Sequence, residues 1–266
     1  MEFLKLVRRR SFLSEAVYMI LNIGLAIALL VVIRYTGSIP LAFGLVLVGK
    51  WRVLAVRPRY WVANLRSNLI DFIVSISVVL HMYTINEAVI DEERKLLLLG
   101  GLTLLYILWL LFLKPRSKRS FVAAQAGVAV LVGVAALFAV SYNWPASVVV
   151  LGMWLIGFAA ARHVLSAYDD ETHGLFISLG WGVAMAEIGW IAYHWTIAYS
   201  LPFFPSLLIP QVAIIAVLVS FVAYKAYDSF YHNSKIRTND IILPLLFTLS
   251  VIAVLIFVFN NVGTTI

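Results

Sequence analysis

The chain has 266 residues, 63% of them hydrophobic and only 12% charged, with a mean hydropathy of +0.97. Soluble domains average about 45–50% apolar and about 25% charged residues, so the composition excludes a water-soluble fold before any motif is read. The absence of cysteine excludes disulfides, thiolate zinc sites, iron–sulfur clusters and covalently attached haem, and the net charge of +7 follows a membrane topology, so no nucleic-acid partner is expected.

In chain order, nine apolar segments approach the roughly 20 residues that a hydrocarbon core of about 30 Å requires. They are residues 12–33, 39–56, 65–85, 96–113, 121–140, 146–165, 175–199, 207–226 and 241–259. The first follows a basic tail, residues 1–11, and has no small-residue cleavage pattern; it reads as a retained signal-anchor helix. The second is the weakest, with eleven residues before Lys50, and spans if Lys50 and Arg52 snorkel to the interface. With the N-terminus in the cytoplasm, every lysine and arginine except Arg34, Arg94 and Lys95 falls on the inner side, as the positive-inside rule predicts. Dropping the second segment would invert the basic cluster 114–119, so the charge pattern supports it. The connecting stretches 51–66, 86–95 and 227–240 are too short to bury a core of their own. The expected fold is an all-α polytopic bundle of about nine spanning helices, one integral membrane domain over 1–266, with the C-terminus (260–266) outside.

An ionisable side chain at membrane depth costs about 2.5–3.5 kcal/mol on insertion scales, so each needs a reason to be there. In the third segment Asn64, Asn68, Asp71 and Ser75 share one helical stripe, with His81 further along on another face. That stripe reads either as a hydrated path ending at Asp71 or as an interfacial pairing of Asp71 with Arg66 or another basic residue. In the seventh segment Glu187 shares a face with Gly180, Ala184, Ile191 and His194. A second face carries Ser178, Gly182, Ala186 and Gly189, a small-xxx-small pattern that admits a neighbouring backbone. The pattern predicts a central helix, packed tightly on one side and presenting a buried, protonated Glu187 to the bundle interior on the other. Such a carboxyl can hold a proton, coordinate a cation or donate a structural hydrogen bond.

Between the sixth and seventh segments, Arg162, His163, Asp169, Asp170, Glu171 and His173 form a polar cluster at the cytoplasmic edge. Consecutive acids can hold Mg²⁺ against a phosphate, or can cap the following helix. No second acidic motif completes a two-cluster metal site, so neither a metal nor a catalytic residue is assigned. His81 and His194 sit at similar depth, as paired haem ligands would, but a second pair is missing and no cofactor is expected. Phosphate-loop, H-E-x-x-H and G-x-S-x-G motifs are all absent. Lys50, Arg52, Arg57, Arg59 and Arg66 alternate with aromatic residues and suit anionic lipid headgroups, at about 1 kcal/mol per basic residue.

The stretches VRPRYWVANLRSN, beginning at Val56, and ARHVLSAYDDETHG with WGVAMAEIGWIAYHW, beginning at Ala161 and Trp181, resemble a multipass membrane family of reduced-genome bacteria of the Saccharibacteria type. The resemblance implies a bacterial plasma-membrane protein and carries no activity with it. Three functions are then in play. A membrane-embedded binding or assembly subunit, docking another membrane protein, a second copy or anionic lipid, needs only the small-residue faces and the basic aromatic loop. A proton- or cation-coupled transporter or channel would use Asp71 and Glu187. An enzyme on a lipid-linked substrate would use the 163–173 loop.

Overall fold

The computed structural model describes residues 2–258 apart from 142, 170, 196–197 and 202–203, with the backbone alone for 2–13, 52, 54, 198–201 and 204–208. Long runs of apolar residues become helices because a helix satisfies all of its own backbone hydrogen bonds where water is absent. Among the described residues, eight helices are long and apolar enough to cross a membrane. The protein is therefore an all-α, multi-pass membrane protein. Its contacts divide it into two compact units: residues up to Leu65 with Val78–Arg116, and Arg66–Ser77 with residues from Ser117 onward.

The first unit begins with α1 (Glu2–Thr36), a 35-residue helix. Gly37, at φ +61°, ends it in the left-handed conformation that glycine adopts without strain. Ser38 then caps α2 (Ile39–Gly49), its Oγ accepting from Leu41 N at 3.4 Å. Short turns follow: α3 (Trp51–Leu54), a 3₁₀ turn over Pro58–Tyr60 and α4 (Trp61–Ser67). After α5 (Leu69–Glu87) comes α6 (Glu92–Leu108), which continues as a π turn over Trp109–Leu113. Antiparallel packing of α1 on α6 is fixed at both ends. Arg34 pairs with Glu92 at one, and Tyr18 Oη donates to Leu110 O at 3.3 Å at the other.

The second predicted segment differs from expectation. Its helix is only 11 residues, about 16 Å at 1.5 Å per residue, too short to cross alone. Arg34 at the end of α1 also donates to Asn86 at the end of α5, at 3.4 Å, so α1 and α5 finish on the same side. The chain between them is a run of short elements, α2, α3, the 3₁₀ turn and α4, and not one long helix. Side chains of the basic tail and the C-terminal residues 260–266 lie outside the described residues.

The second unit holds α7 (Arg119–Val140), α8 (Ala146–Leu165), α9 (Gly174–His194), α10 (Gln211–Asn233) and α11 (Thr238–Phe257). Successive helices run antiparallel. Tyr193 Oη donates to Trp144 O at 2.5 Å at one end, and Ser229 Oγ to Asp240 Oδ2 at 2.6 Å at the other. The seventh predicted segment was placed to run to residue 199, but α9 stops at His194. An antiparallel hairpin, β1 (Ala198–Leu201) with β2 (Phe204–Pro210), then leads into α10. Prolines at 202, 205 and 210 explain the change, since each removes a helical N–H donor.

Candidate functional site

α9 separates cleanly into two faces. Gly174, Ser178, Gly182, Met185 and Gly189 are buried. The small residues admit α8 so closely that a methyl on Gly157 would lie 2.5 Å from Met185 Cγ, and one on Gly189 2.5 Å from Met153 Cγ. Both methionines are fully buried, so each fills the notch left by the opposite helix's glycine. The small-residue face is thus the packing face.

The other face is not where the sequence put it. Gly180, Glu187, Ile191 and His194 are exposed and Ala184 is half-buried, so Glu187 looks away from the bundle instead of into it. It stands two residues beyond Met185, about 200° round the helix, so burying one side necessarily exposes the other. Because α9 ends at His194, Glu187 also lies nearer its end than expected, seven residues or about 10 Å in. His194 sits at that end, its ring 5.0 Å from Trp190 and 5.4 Å from Tyr193, an interfacial setting. It is not at buried depth either.

Of the remaining expected buried polar residues, Asp71 is 7% exposed, in the first turn of α5, while Asn68 and His81 are half-buried. Ser75 Oγ donates to the Asp71 carbonyl at 2.6 Å. The continuous stripe is broken, because α4 ends at Ser67 and Asn64, on that earlier helix, donates to Val53 O at 3.4 Å. Arg66 is exposed and has no ion pair among the described residues, so the expected Asp71–Arg66 pairing is not formed.

Lys50 is the larger correction. Expected to snorkel toward headgroups, it is only 5% exposed, and it occupies the break between α2 and α3. Its N–H is shared between Val46 O and Leu47 O, both at 3.1 Å. Its neighbour Gly49 packs against Leu25, midway along the apolar stretch Ser14–Thr36 of α1. A lysine is thus buried in protein beside the negative end of the α2 dipole, which favours a cation. Arg57, Arg59 and Arg66 are exposed, with the Arg59 guanidinium 4.7 Å over the Tyr60 ring. The side chain of Arg52 lies outside the described residues.

The 163–173 loop is drawn apart. His163 Nε2 turns into the bundle and donates to Gln125 Oε1 of α7 at 2.7 Å. Glu171 accepts from His173 N at 2.6 Å, at the start of α9, and from the Tyr227 hydroxyl. Arg162 packs over Gly174, Asp169 is exposed, and Asp170 lies outside the described residues. No three metal-binding side chains meet among the described residues. What the loop builds is a latch that the sequence reading missed. Tyr168 Oη donates to Asp228 Oδ1 at 2.9 Å, and Arg119 stacks 4.2 Å over the Tyr168 ring and lies 3.9 Å from the same carboxylate. Tyr227 and Tyr231 pack edge-on against Tyr168. Burial, then the bond to Asp228, pushes the Tyr168 phenol well above its ordinary value. The signal was present in Tyr224, Tyr227, Asp228 and Tyr231, spaced three and four apart on one face of α10.

Comparison of the chain with protein-family models, with curated proteins and with solved structures gave no match in any of the three.

Proposed function

We propose that this protein is a membrane-embedded assembly subunit whose α9 docks against α9 of a second copy. The observation that carries the reading is Glu187, exposed on a spanning helix about 10 Å from its end. A carboxyl facing lipid at that depth is costly, and the cost disappears when a partner helix brings a hydrogen-bonding group to it. A second copy related by a two-fold axis along the membrane normal brings Glu187 itself. The two side chains at this position can then hydrogen-bond to each other instead of facing lipid. Gly180 and Ala184, on the same face, leave room for the close approach. The exposed Arg57, Arg59 and Arg66 would hold the assembly against anionic lipid, and the membrane would be a bacterial plasma membrane, as the sequence resemblance implies.

The chain's lack of cysteine makes the test direct. Single cysteines at Gly180 or Ile191 should form disulfide-linked dimers in lipid vesicles, whereas one at Leu151, exposed on α8, should not. Glu187→Gln should keep the dimer, since an amide also pairs with itself, and Glu187→Leu should weaken it. Equal crosslinking from all three positions would refute the interface.

A second reading, transport, is favoured by Lys50. Interrupted helices with a charged residue near the midplane recur at the substrate and ion sites of transporters. If that reading holds, Lys50→Gln should abolish solute or proton flux into vesicles while the protein still folds; unchanged flux would end it.

A further inference from the structure

Within the second unit, α7, α8 and α10 enclose a cavity of about 420 Å³. That volume falls inside the roughly 300–1,000 Å³ typical of small-molecule sites. The cavity exists because α7 offers mostly small residues on this side, Ala123, Ala124, Ala126 and Gly127 among them, against Val164 of α8 and Val217 of α10. A methyl on Gly127 would meet nothing within 4 Å. The walls are apolar; the polar groups are few and graded along the axis.

At the mouth stand Ser120, Tyr224 and Lys225. Lys225 lies about 6 Å from the rings of Phe221 and Tyr224 and has no carboxylate partner among the described residues. Its neighbour Arg119, by contrast, is already matched by Asp228. The start of α7 also opens here without a side-chain cap, adding the positive end of a 22-residue helix. Deeper in, Ser220 lines the cavity and its hydroxyl is buried with no hydrogen-bond partner among the described residues. It lies five residues from Lys225, about 7 Å along the axis. From Ser120 to Val130 the cavity runs about 15 Å, half of a hydrocarbon core of about 30 Å, which is the depth of one leaflet. The exposed Phe221 forms part of its rim, where lipid can reach it.

We infer that this cavity is a binding site for an anionic glycerophospholipid, with the phosphate at Lys225, an ester carbonyl accepting from Ser220 and one acyl chain between α7 and α10. Each feature selects a different part of the ligand. An uncompensated cation selects a negative headgroup. The orphan hydroxyl selects an acceptor several ångströms below the charge, which a phospholipid has and a free fatty acid lacks. One-leaflet depth and an apolar lining select a chain that is already in the membrane.

Native mass spectrometry of the purified full chain tests this with three probes: phosphatidylglycerol, phosphatidylcholine and palmitate. Phosphatidylglycerol should bind tighter than phosphatidylcholine by about fivefold, the factor that one basic group at a membrane surface supplies. Lys225→Gln should remove that preference, whereas Arg94→Gln, in the other unit and paired with Asp91, should leave it intact. Gly127→Leu fills the cavity and should abolish retained lipid at unchanged helicity; Ala123→Leu serves the same purpose should the first variant fail to fold. A photoactivatable phosphatidylglycerol should label the α7 or α10 peptide in the wild-type protein. Equal affinity for the two phospholipids, tighter binding of palmitate, or a folded filled-cavity variant that keeps its lipid would each overturn the assignment.

Discussion

Gly157→Ala is the sharpest test of the packing that fixes which way α9 faces. The added methyl would lie 2.6 Å from Met185 Cβ and 2.5 Å from Cγ. Carbon atoms rest at about 3.5–4.0 Å, so the two helices must part by about 1 Å. Met185 cannot swing aside, because its Cβ is fixed to the backbone of α9 and its side chain is fully buried. Overpacking of this kind costs about 1–3 kcal/mol, and the better helix propensity of alanine returns less than about 1 kcal/mol of it. Gly189→Ala should behave alike, because its methyl would meet Met153 Cβ at 2.8 Å. Gly152→Ala meets only the terminal methyls of Leu137, which can rotate, and Gly101→Ala meets nothing within 4 Å. The expected order of stability is therefore Gly101→Ala at or above wild type, then Gly152→Ala, with Gly157→Ala and Gly189→Ala lowest. Unfolding by dodecyl sulfate in mixed micelles, followed by circular dichroism, measures the series. If Gly157→Ala were as stable as Gly101→Ala, the notches would be slack and the reasoning wrong.

Three more outcomes follow from the same geometry. Arg119→Ala should destabilise the second unit by about 1–2 kcal/mol through loss of ring stacking and a half-exposed ion pair, with Arg119→Lys only partly restoring it; the same micelle titration reads both. Tyr168 has its folded-state ionisation raised above the ordinary value of 10.0, so its contribution is complete below about pH 10 and lost as pH rises through that value toward the folded one. Wild type should therefore lose stability above about pH 10 relative to Tyr168→Phe, and parallel alkaline profiles would contradict the burial of Tyr168 and its bond to Asp228 together. An alkaline-phosphatase fusion after Val89 should be active outside and a fluorescent-protein fusion after Arg116 bright inside; the reverse pair, Val89 inside and Arg116 outside, would show that the interrupted path through α2 does not cross.

Much of this fold was legible because membrane insertion reads hydrophobicity and charge directly. Eight of the nine expected segments needed only length and apolarity, and among the described residues eight helices are long enough to span; the second segment rested on the charge of the cluster 114–119 and forms a helix of only 11 residues. Its interruption at Lys50 was not legible. Snorkelling and burial make the same demand on sequence, and only the packing of Gly49 on Leu25 separates them. The latch was missed for a related reason. Tyrosines near helix ends are ordinarily interfacial, and nothing local to Tyr227 and Tyr231 says that Tyr168 and Arg119, distant in sequence, pack against them.

The reversal at Glu187 shows how the two faces of one helix compete. Each offered a reason for burial: the small-residue stripe by close packing, the Glu187 stripe by the cost of a carboxyl in lipid. Opposite stripes on a helix with one close neighbour cannot both win. Packing of Ser178, Gly182 and Gly189 against α8 gains contact along the whole interface, and two fully buried methionines lock it. The carboxyl is one group near the helix end, where its cost falls, and a docked partner can remove what remains. A periodic pattern therefore says that two faces differ, and the size of the contact decides which one turns inward. The face left over, polar yet on a spanning helix, is where association has the most to gain. Replacing Glu187 by leucine should then raise the stability of the isolated monomer while weakening its self-association, a pairing of effects that a buried structural carboxyl would not give.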